Sequence, residues 1–456
     1  MKCRIVNSHN VLREKRFDGS YHNAEVNIYN DVITSHSEHK LSYYCSEIFT
    51  SGRNRRVYTK PEFGYPFLSN SDAASLNPLA TCKYSSKKYG YDEAAVLKGG
   101  MILTGRVGAI GQTTFVPKFW ERYNAMGSDN IIRIVVKPEY KNGFIYAYLA
   151  SKVGNLSFWK HATGGVQPFI TDAMVGSLPI PQFPESFQKE VDDLMEESAR
   201  LREEATDALD EAKETLSSFI AIPHKSNKYK TEIVTSKTIW TSLQHRLDPP
   251  ALMNDGVVTM NKVISEFTYK TIGTINAKVH RPGIFKRSYV ENGIPYIKGS
   301  EIFLTNPFRR CEQLSKTRTP FIDEMALSEG QILITCAGSV GNIKMITKEY
   351  EDKKAIGSQD IIRLVSEDSL FTSEYLFTYL QLPFVFDYIQ SMKYGSVIER
   401  IEPFHVESIP IVEPTQELSD EISCLIKQYM DKTYRAFNCE EQAISMVEQE
   451  IEKWNK

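Results

Sequence analysis

The chain has 456 residues and a formal net charge of −3, and its 41% apolar and 24% charged residues are ordinary for a globular protein of about three domains. It contains no run of about 18 apolar residues and no apolar segment near its N-terminus, so neither a membrane span nor a secretory signal is expected. The seven cysteines are scattered, odd in number and without a C-x-x-C pair. They exclude a disulfide framework and a structural zinc, and they indicate a reducing, cytoplasmic setting.

The first half begins with an Arg-x-Asp motif, Arg16 and Asp18, and continues through a basic, variable region. Residues 101–111 are typical of a short strand that ends in a glycine-rich loop. Residues 131–136 form a short β-branched run and predict a buried strand. Residues 144–151 indicate a helix. Pro179, Pro181 and Pro184 follow, and such prolines are typical of the segment just before a helix begins.

A long acidic helix is predicted over residues 185–219, because the run lacks Gly and Pro and is rich in Ala, Leu and Glu. Small and apolar residues recur in alternating steps of four and three, which is the heptad spacing of a helix that packs a narrow seam against a partner helix. The predicted seam consists of Phe187, Val191, Leu194, Ser198, Leu201, Ala205, Ala208, Ala212, Thr215 and Phe219.

A second amphipathic stretch over residues 416–454 can supply the partner helix. Its middle is less regular, so the sequence fixes no register between the two helices. Either helix could instead be a solvated surface helix on a globular core. The apolar residues predicted to pair are Leu418, Ile422, Leu425 and Tyr429, followed by Ala436, Ala443, Met446 and Trp454.

The second half repeats the first at a constant offset of 230 residues. The motif GSDNIIRI at 127–134 falls on GSQDIIRL at 357–364, and Arg16 falls on Arg246. Strands at 331–335 and 361–365 and a helix at 375–382 are predicted accordingly. A single matching glycine arises easily by chance, but an ordered series at one offset indicates duplication. In this series Gly100, Gly108, Gly111 and Gly165 fall on Gly330, Gly338, Gly341 and Gly395.

Charge is distributed unevenly between the two predicted long helices and the rest of the chain. Residues 185–219 carry twelve acidic and four basic side chains, and residues 415–456 carry nine and five, so the remainder has a net charge of +9. A basic body beside acidic helices is typical of a protein with a polyanionic partner. Ordinary scatter of surface charge is the alternative.

On these motifs the chain resembles the specificity subunit of a Type I restriction–modification system. The resemblance rests on Arg-x-Asp at the start of each half, the two strand-and-glycine loops, the two GS-x-x-IIR motifs, and the stretch TGGVQPFITDAMVGSLPIP before the first long helix. It covers essentially the whole chain. The second half departs from the family pattern, because the sequence KYGSVI at 393–398 stands in place of the T-G-G-x-Q-P motif.

The resemblance implies an α/β (α+β) fold with two tandem target-recognition domains related by a pseudo-two-fold axis. Two long antiparallel coiled-coil helices would separate the domains and act as a ruler between them. The implied limits are 1–184 for the first domain, 185–219 for the first helix, 220–245 for a linker, 246–414 for the second domain and 415–456 for the second helix.

The resemblance also implies the partners. Each domain would read one half of a bipartite sequence in double-stranded DNA. The helices would dock two copies of a methyltransferase subunit, and a restriction and translocase subunit would join. S-adenosylmethionine, ATP and Mg would then be held by those partners, and this chain would hold neither cofactor nor metal and would not be an enzyme.

Basic residues in the variable regions are the candidate DNA contacts, since Arg can bind guanine bidentately while Lys more often holds phosphate. A solvated surface charge is the alternative at each position, and a plain structural turn is the alternative for the glycine loop beside Arg106 and Gln112. The candidates are Arg53, Asn54, Arg55, Arg56, Lys60, Lys83, Lys87, Lys88, Arg106, Gln112, Lys278, His280, Arg281, Lys286, Arg287, Arg309 and Arg310.

Two other classes of function remain as rivals. A self-sufficient methyltransferase or nuclease is disfavoured, because Asp248-Pro249-Pro250-Ala251 lacks the aromatic residue of an adenine methyltransferase motif. His36 and His39 form a lone H-x-x-H pair without further metal ligands. A coiled-coil interaction protein without a DNA role is disfavoured by the basic balance outside the helices.

Overall fold

The computed structural model describes residues 8–221, 235–241 and 245–454, apart from residues 15, 18, 20, 23, 54, 55, 80, 81 and 165. The chain divides into two compact units. Unit 1 combines the residues up to Glu203 with those from Arg435 onward, and unit 2 is the continuous stretch from Glu204 to Tyr434. The predicted linker lies largely outside the described residues, and the predicted domain limits stay predictions.

The first half of the chain alternates short strands with helices. Its strands are β1 (Cys45–Thr50), β2 (Tyr58–Thr59), β3 (Gly64–Leu68), β4 (Lys83–Ser86), β5 (Ile102–Gly105), β6 (Thr113–Phe115), β7 (Met126–Gly127) and β8 (Ile131–Val136). Its helices are α1 (Ser8–Glu14), α2 (Ala24–Ser35), α3 (Leu41–Tyr44), α4 (Asn70–Ala73), α5 (Asn142–Ala150), α6 (Lys152–His161), α7 (Asp172–Gly176) and α8 (Glu185–Ile220). The predicted strands and helices coincide within two residues with β5, β8, α5 and α8.

Two sheets organise unit 1. Both have four strands, and the one with the longer strands is called the larger sheet. The larger sheet is antiparallel with the order β1-β8-β5-β6, and Leu103 lies opposite Arg133 in it. The smaller has the order β2-β4-β3-β7, in which β3 and β7 run parallel with Phe67 opposite Met126. One apolar core joins the larger sheet to α5 and α6, since Ile134 and Phe158 share a buried cluster.

The second half repeats this alternation. Its strands are β9 (Tyr269–Thr271), β10 (Ala277–His280), β11 (Tyr289–Ile297), β12 (Glu312–Leu314), β13 (Ile332–Thr335), β14 (Ile343–Met345), β15 (Ile356–Gly357), β16 (Ile361–Ser366) and β17 (Pro410–Val412). Its helices are α9 (Ser236–Thr241), α10 (Pro249–Met253), α11 (Asp255–Glu266), α12 (Ile322–Met325), α13 (Lys348–Asp352), α14 (Ser373–Leu380), α15 (Pro383–Ser391), α16 (Pro403–Glu407) and α17 (Gln416–Trp454).

The larger sheet of unit 2 matches that of unit 1, whereas its smaller sheet has three strands, β12-β11-β15, instead of four and shares only the parallel pair. The order β10-β16-β13-β14 repeats β1-β8-β5-β6, and β11 runs parallel to β15 as β3 does to β7. Two non-glycine residues with left-handed backbone, Asn124 (φ 49°) and Lys354 (φ 50°), lie 230 positions apart. Because such a conformation is uncommon outside glycine, its recurrence at the predicted offset supports the duplication independently of the sequence motifs.

The offset changes by one residue late in each half. Gly165, which the constant offset pairs with Gly395, lies outside the described residues. Gly164 (φ +100°) instead shares the left-handed conformation of Gly395 (φ +99°). The flanking bridges agree, since Thr163 pairs with Phe169 and Tyr394 with Arg400. The loops at Gly164 and Gly395 are therefore structurally equivalent at an offset of 231, although their sequences differ.

A fully buried arginine anchors the GS-x-x-IIR motif in each unit. Arg133 donates from Nη1 to the carbonyl of Ile131 (2.9 Å) and from Nη2 to those of Gly127 (2.5 Å) and Ala95 (3.2 Å). Arg363 makes the same three bonds 230 residues later, to Ile361 (2.9 Å), Gly357 (2.9 Å) and Met325 (3.2 Å). The arginine therefore ties its own strand to the turn before it and to an earlier segment of the unit.

The two long helices run antiparallel. In unit 1, Ser198 Oγ donates to the carbonyl of Ala436 (2.8 Å), and the Phe183 ring ahead of α8 stacks on Trp454 at the end of α17 (4.7 Å between centroids). In unit 2, Lys432 Nζ lies 3.2 Å from Glu204 Oε2. These contacts fix the register that the sequence left open. None of the described helices is both long and apolar enough to cross a bilayer.

The seam of α8 is wider than predicted and drifts along the helix. Toward its end the fully buried residues are Leu216 and Ile220, each one position after the predicted Thr215 and Phe219. An α-helix has 3.6 residues per turn, so a strict heptad moves off the buried face after several turns. Among the predicted pairing residues, Val191, Leu201, Leu418, Ile422 and Tyr429 are buried, and Phe187, Leu194 and Leu425 pack against the cores while partly exposed.

We predict that Arg133→Met destabilises unit 1 by about 3 kcal/mol or more, because several buried carbonyls lose their charged donor. Arg363→Met should cost unit 2 a similar amount, since its bonds are the same. Urea unfolding measures the loss, followed by tryptophan fluorescence for unit 1 and by far-ultraviolet circular dichroism for unit 2, in which Trp240 is 73% exposed. Arg318→Met, at an exposed arginine, is the matched control and should stay within about 0.5 kcal/mol of the unmodified protein.

Candidate nucleic-acid interface

The smaller sheet of unit 1 presents one apolar and one polar face. Along β3 the side chains alternate, so that Leu68 is buried in a cluster with Trp120 while Phe67 on the other face is partly exposed. Across the sheet Phe67 lies opposite Lys83, and Tyr65 opposite Ser85. Successive strand residues point to opposite faces, so the outer face is lined by residues from three strands.

That outer face combines lysines with aromatic rings. Lys83 Nζ lies 4.8 Å from the centroid of the Tyr58 ring, and Lys87 Nζ lies 5.3 Å from that of Tyr65. Lys88 Nζ lies 5.1 Å from the Tyr89 ring just beyond β4. Both the charged ends and the rings remain accessible. We define the basic–aromatic face of unit 1 by Tyr58, Tyr65, Phe67, Lys83 and Lys87.

Arg53 and Arg56 meet at Asp129, the third residue of the first GS-x-x-IIR motif. Arg56 Nη2 donates to Asp129 Oδ1 (2.5 Å), and Arg53 Nε lies 3.4 Å from Oδ2. Burial is the largest single influence on Asp129 and raises its pKa, but the hydrogen bond and charge of Arg56, together with bonds from the Asp129 backbone amide and from Arg53, outweigh burial and hold the pKa of Asp129 below its usual range. The Arg56 guanidinium also lies 6.0 Å from the Phe67 ring. The candidates Asn54 and Arg55 lie outside the described residues, and Lys60 is exposed.

Unit 2 has a corresponding contact. Arg287 Nη2 donates to Gln359 Oε1 (3.0 Å), and its Nε donates to the Tyr296 hydroxyl (2.9 Å). Gln359 is the third residue of the second GS-x-x-IIR motif. The neighbouring Lys286 is exposed. The arginines at 56 and 287 thus occupy equivalent places, although one meets a carboxylate and the other an amide.

The other basic candidates of unit 2 do not form one cluster. Lys278 and His280 lie on the edge strand β10 of the larger sheet, where Lys278 Nζ is 3.4 Å from Glu367 Oε1. Burial lowers the pKa of His280, whose Nε2 lies 3.4 Å from the carbonyl of Glu324. Arg281 Nη1 is 3.2 Å from Glu402 Oε2. Arg309 and Arg310 lie ahead of β12 in the smaller sheet.

The glycine loop beside Arg106 and Gln112 is a braced turn. Asn155 Nδ2 donates to the carbonyl of Gly111 (2.8 Å), and in unit 2 Gln390 Nε2 donates to that of Val340 (2.8 Å). A Cβ at Gly111 would lie 2.6 Å from that Asn155 amide, and its φ of +69° also favours glycine. Arg106 is half-buried, and its carbonyl accepts from Ile170 N (2.9 Å).

The Arg-x-Asp motif closes a helix end. Arg246 Nη1 donates to the carbonyls of Ser391 (2.9 Å) and Lys393 (2.6 Å) at the end of α15, and Arg246 Nε donates to Asp248 Oδ1 (2.6 Å). In unit 1, Arg16 Nη2 donates to the carbonyl of Ala162 (2.8 Å), just after α6. A guanidinium at a helix C-terminus satisfies carbonyls that have no partner within the helix.

The remaining motif residues serve packing. The His36 ring stacks on Trp454 (4.2 Å between centroids) and the His39 ring on Tyr43 (3.6 Å). In the part of the chain that the structure describes, no group of three or more His, Cys, Asp or Glu side chains is placed to hold a metal ion.

The sequence reasoning missed the acceptors Asp129 and Gln359 and the rings that flank the arginines. Tyr58, Phe67 and Lys83 come from three short strands that are far apart in the sequence, so no local spacing joins them. A signal was present, however. Arg56 falls on Arg287 at an offset of 231, and Asp129 falls on Gln359 at 230.

Comparisons with known proteins match part of the chain to a family model. Residues 264–444 match the family model for the Type I restriction modification DNA specificity domain. This match confirms the resemblance that the motifs indicate. No curated protein matches the chain.

Three solved structures are similar over most of their length. The Type I restriction-modification S subunit from M. genitalium is 13% identical, with 90% of this chain and 94% of that chain covered and a TM-score of 0.37. The HsdS subunit from Thermoanaerobacter tengcongensis is 14% identical, with 90% and 95% covered and a TM-score of 0.28. A chain from a structure on complex assembly and conformational transition of the type I R-M system is 15% identical, with 91% and 96% covered and a TM-score of 0.28.

We predict that Cys336, at the second glycine loop, resists iodoacetamide in the native protein at about pH 8, whereas Cys424 on the exposed side of α17 reacts at least about tenfold faster. Cys336 is fully buried, and burial raises its thiol pKa despite the nearby Arg281. Peptide mass spectrometry gives both rates, and unfolded protein is the control in which they should converge. Equal rates in the native protein would contradict this placement of Cys336.

Proposed function

We propose that this chain, whose residues 264–444 match the family model for the Type I restriction modification DNA specificity domain, reads one half of a bipartite DNA sequence with each of its two units. The observation that carries the proposal is the repeat itself. Both units have the same strand order in the larger sheet, the same buried arginine and an arginine paired with the third residue of the GS-x-x-IIR motif. Two like modules in one chain are suited to two half-sites.

The two half-sites should differ in sequence, because the exposed surfaces of the units differ. Unit 1 carries the basic–aromatic face, in which Lys83 and Lys87 lie over tyrosine rings. In unit 2 the residue equivalent to Phe67 is Tyr296, which is buried and bonded to Arg287. Lysines and tyrosines of this kind hold phosphate, while arginines discriminate bases, so register and specificity would come from different residues.

The long helices would bind protein rather than DNA. Their exposed acidic side chains, such as Asp193, Glu196 and Glu211, would repel phosphate. The proposal therefore includes two copies of a methyltransferase subunit, one related to each half of the repeat, and a restriction and translocase subunit. Because each helix contributes residues to both units, the pair would also set the spacing between half-sites.

The proposal gives this chain no catalytic step and a cytoplasmic location. S-adenosylmethionine, ATP and Mg would be held by the partner subunits. The Asp248 carboxylate of the methyltransferase-like D-P-P motif is bound by the Arg246 guanidinium, which supports a structural role for it. Methyl transfer by the purified chain alone would contradict this part of the proposal.

Genome-wide mapping of methylated adenines tests the function. A bipartite motif should disappear when the gene is deleted and return when it is restored. Restoring the gene with residues 16–184 exchanged for a related module should then change one half-site and leave the other intact. Absence of any gene-dependent motif in a host with an active methyltransferase partner would refute DNA recognition, and a change in both half-sites would refute independent reading.

We expect the double variant Lys83→Ala and Lys87→Ala to weaken DNA affinity alike for matched and mismatched sites. The logarithm of the affinity falls with the logarithm of the salt concentration, and each lost phosphate contact should make this slope less negative by about 0.9. The double variant should therefore have a slope that is less negative by roughly twice that amount. Lys427→Ala, at an exposed lysine of α17, is the control and should leave the slope unchanged. A double variant with the unmodified slope would remove the basic–aromatic face from the interface.

A further inference from the structure

We propose that Asp129 and Gln359 are positioning residues, each of which aims one base-reading arginine, Arg56 in unit 1 and Arg287 in unit 2, at a guanine of its half-site. The inference rests on the proposed DNA-reading function and adds to it a residue pair in each unit. We call Arg56 with Asp129, and Arg287 with Gln359, the arginine–acceptor pairs.

Each acceptor is held on a rigid turn. Asp129 follows Gly127 and Ser128, whose carbonyls face the buried Arg133 guanidinium (2.5 Å and 3.5 Å). Gln359 follows the same dipeptide, held by Arg363 (2.9 Å and 3.5 Å). The residues Asp129 and Gln359 are each only 8% exposed. An acceptor of this kind cannot swing away, so it fixes one edge of any guanidinium that binds it.

Each arginine is also held from the side by a ring on the adjacent parallel strand. The guanidinium carbon of Arg56 is 6.0 Å from the Phe67 centroid, and that of Arg287 is 5.6 Å from the Tyr296 centroid. The two rings are equivalent, because Phe67 pairs with β7 as Tyr296 pairs with β15. Acceptor and ring together reduce the rotamers of a long side chain before it meets DNA, which lowers the entropic cost of binding.

The guanidinium keeps donors for a further partner. Arg287 uses Nη2 and Nε, and its Nη1 has no hydrogen-bond partner among the described residues. The Arg56 side chain is 48% exposed, and with Asp129 it lines an open recess that Ser51, Tyr58 and Ser85 also border. A guanidinium offers five donors in a planar fork, and its free edge matches O6 and N7 of guanine in the major groove.

A purely structural ion pair explains the arrangement less well. Gln359 carries no charge, yet Arg287 lies against it in the place that Arg56 takes against Asp129. The amide of Gln359 is oriented by a second contact, since its Nε2 donates to Asp360 Oδ2 (3.3 Å) and leaves Oε1 for the arginine. What the two units share is therefore an oriented acceptor behind an arginine, not opposite charges.

The test measures methylation in cells that carry the partner subunits and a restored copy of this gene with one substitution. Asp129→Ala should relax discrimination at one guanine position of the first half-site by roughly tenfold or more and leave the second half-site unchanged. Asp129→Asn, which keeps an acceptor, should retain most of the discrimination. Gln359→Ala should relax one position of the second half-site only, and Gln359→Glu should retain it.

Arg56→Ala decides whether Asp129 acts through the arginine. It should relax the same position as Asp129→Ala, and the double variant should relax it no further. If Asp129→Ala fails to fold, as thermal unfolding would report, Arg56→Ala and Gln359→Ala carry the test on their own. Unchanged discrimination in Arg56→Ala, or an equal loss at every position of both half-sites, would overturn the inference.

The two possible failures are distinguishable. If the unsubstituted gene restores no bipartite motif, the proposed DNA-reading function is refuted and the arginine–acceptor pairs with it. If the unsubstituted gene restores the motif and the four alanine and conservative variants all read the same guanines equally well, only the positioning role is refuted.

Discussion

The central constraint on this fold is a buried, charged guanidinium in each unit, whose donors must be bound by polar groups of the protein because water does not reach them. Arg133 and Arg363 are fully buried, and burial lowers the pKa of each to about 10, which still leaves it charged near neutral pH. A buried charge is tolerated only where polar groups surround it, so backbone carbonyls have to converge on each arginine. That requirement fixes the Gly-Ser turn, the strand after it and the segment at residue 95 or 325 in one arrangement.

The rest of each unit follows from that arrangement. The turn ends the parallel strand of the smaller sheet, and the arginine lies on the central strand of the larger one. The buried arginine thus joins the two sheets, and the residue after Ser128 or Ser358 is presented at one fixed point. Variation in the loops that carry Arg56 or Arg287 can then alter the surface without disturbing the frame beneath it.

The sequence predicted the frame better than the surface. The strand Ile131–Val136 is recognisable as a short β-branched run and both long helices as amphipathic stretches, because these signals lie within one local segment of the sequence. The arginine inside that apolar strand was a visible anomaly, but its role depends on carbonyls that residues 95 and 127 supply from a distance. The lysines of the basic–aromatic face, Lys83 and Lys87, were predicted, but the rings beside them were not, because β2 has only two residues and the pairing of Tyr58, Phe67 and Lys83 is set by tertiary contacts. In α8 the heptad predicted the seam but not its drift toward Leu216 and Ile220.

The division of α17 between the units has a consequence for how the protein is made. The core of unit 1 includes Ala443, Ile444 and Val447, and the Trp454 ring covers Phe183. Unit 2 is continuous in sequence, whereas unit 1 lacks part of its core until α17 has been synthesised. Because unit 2 takes Leu418, Ile422 and Ile426 of the same helix into its core, neither module can complete its core during translation until α17 has been synthesised, although the first module was begun more than 400 residues earlier.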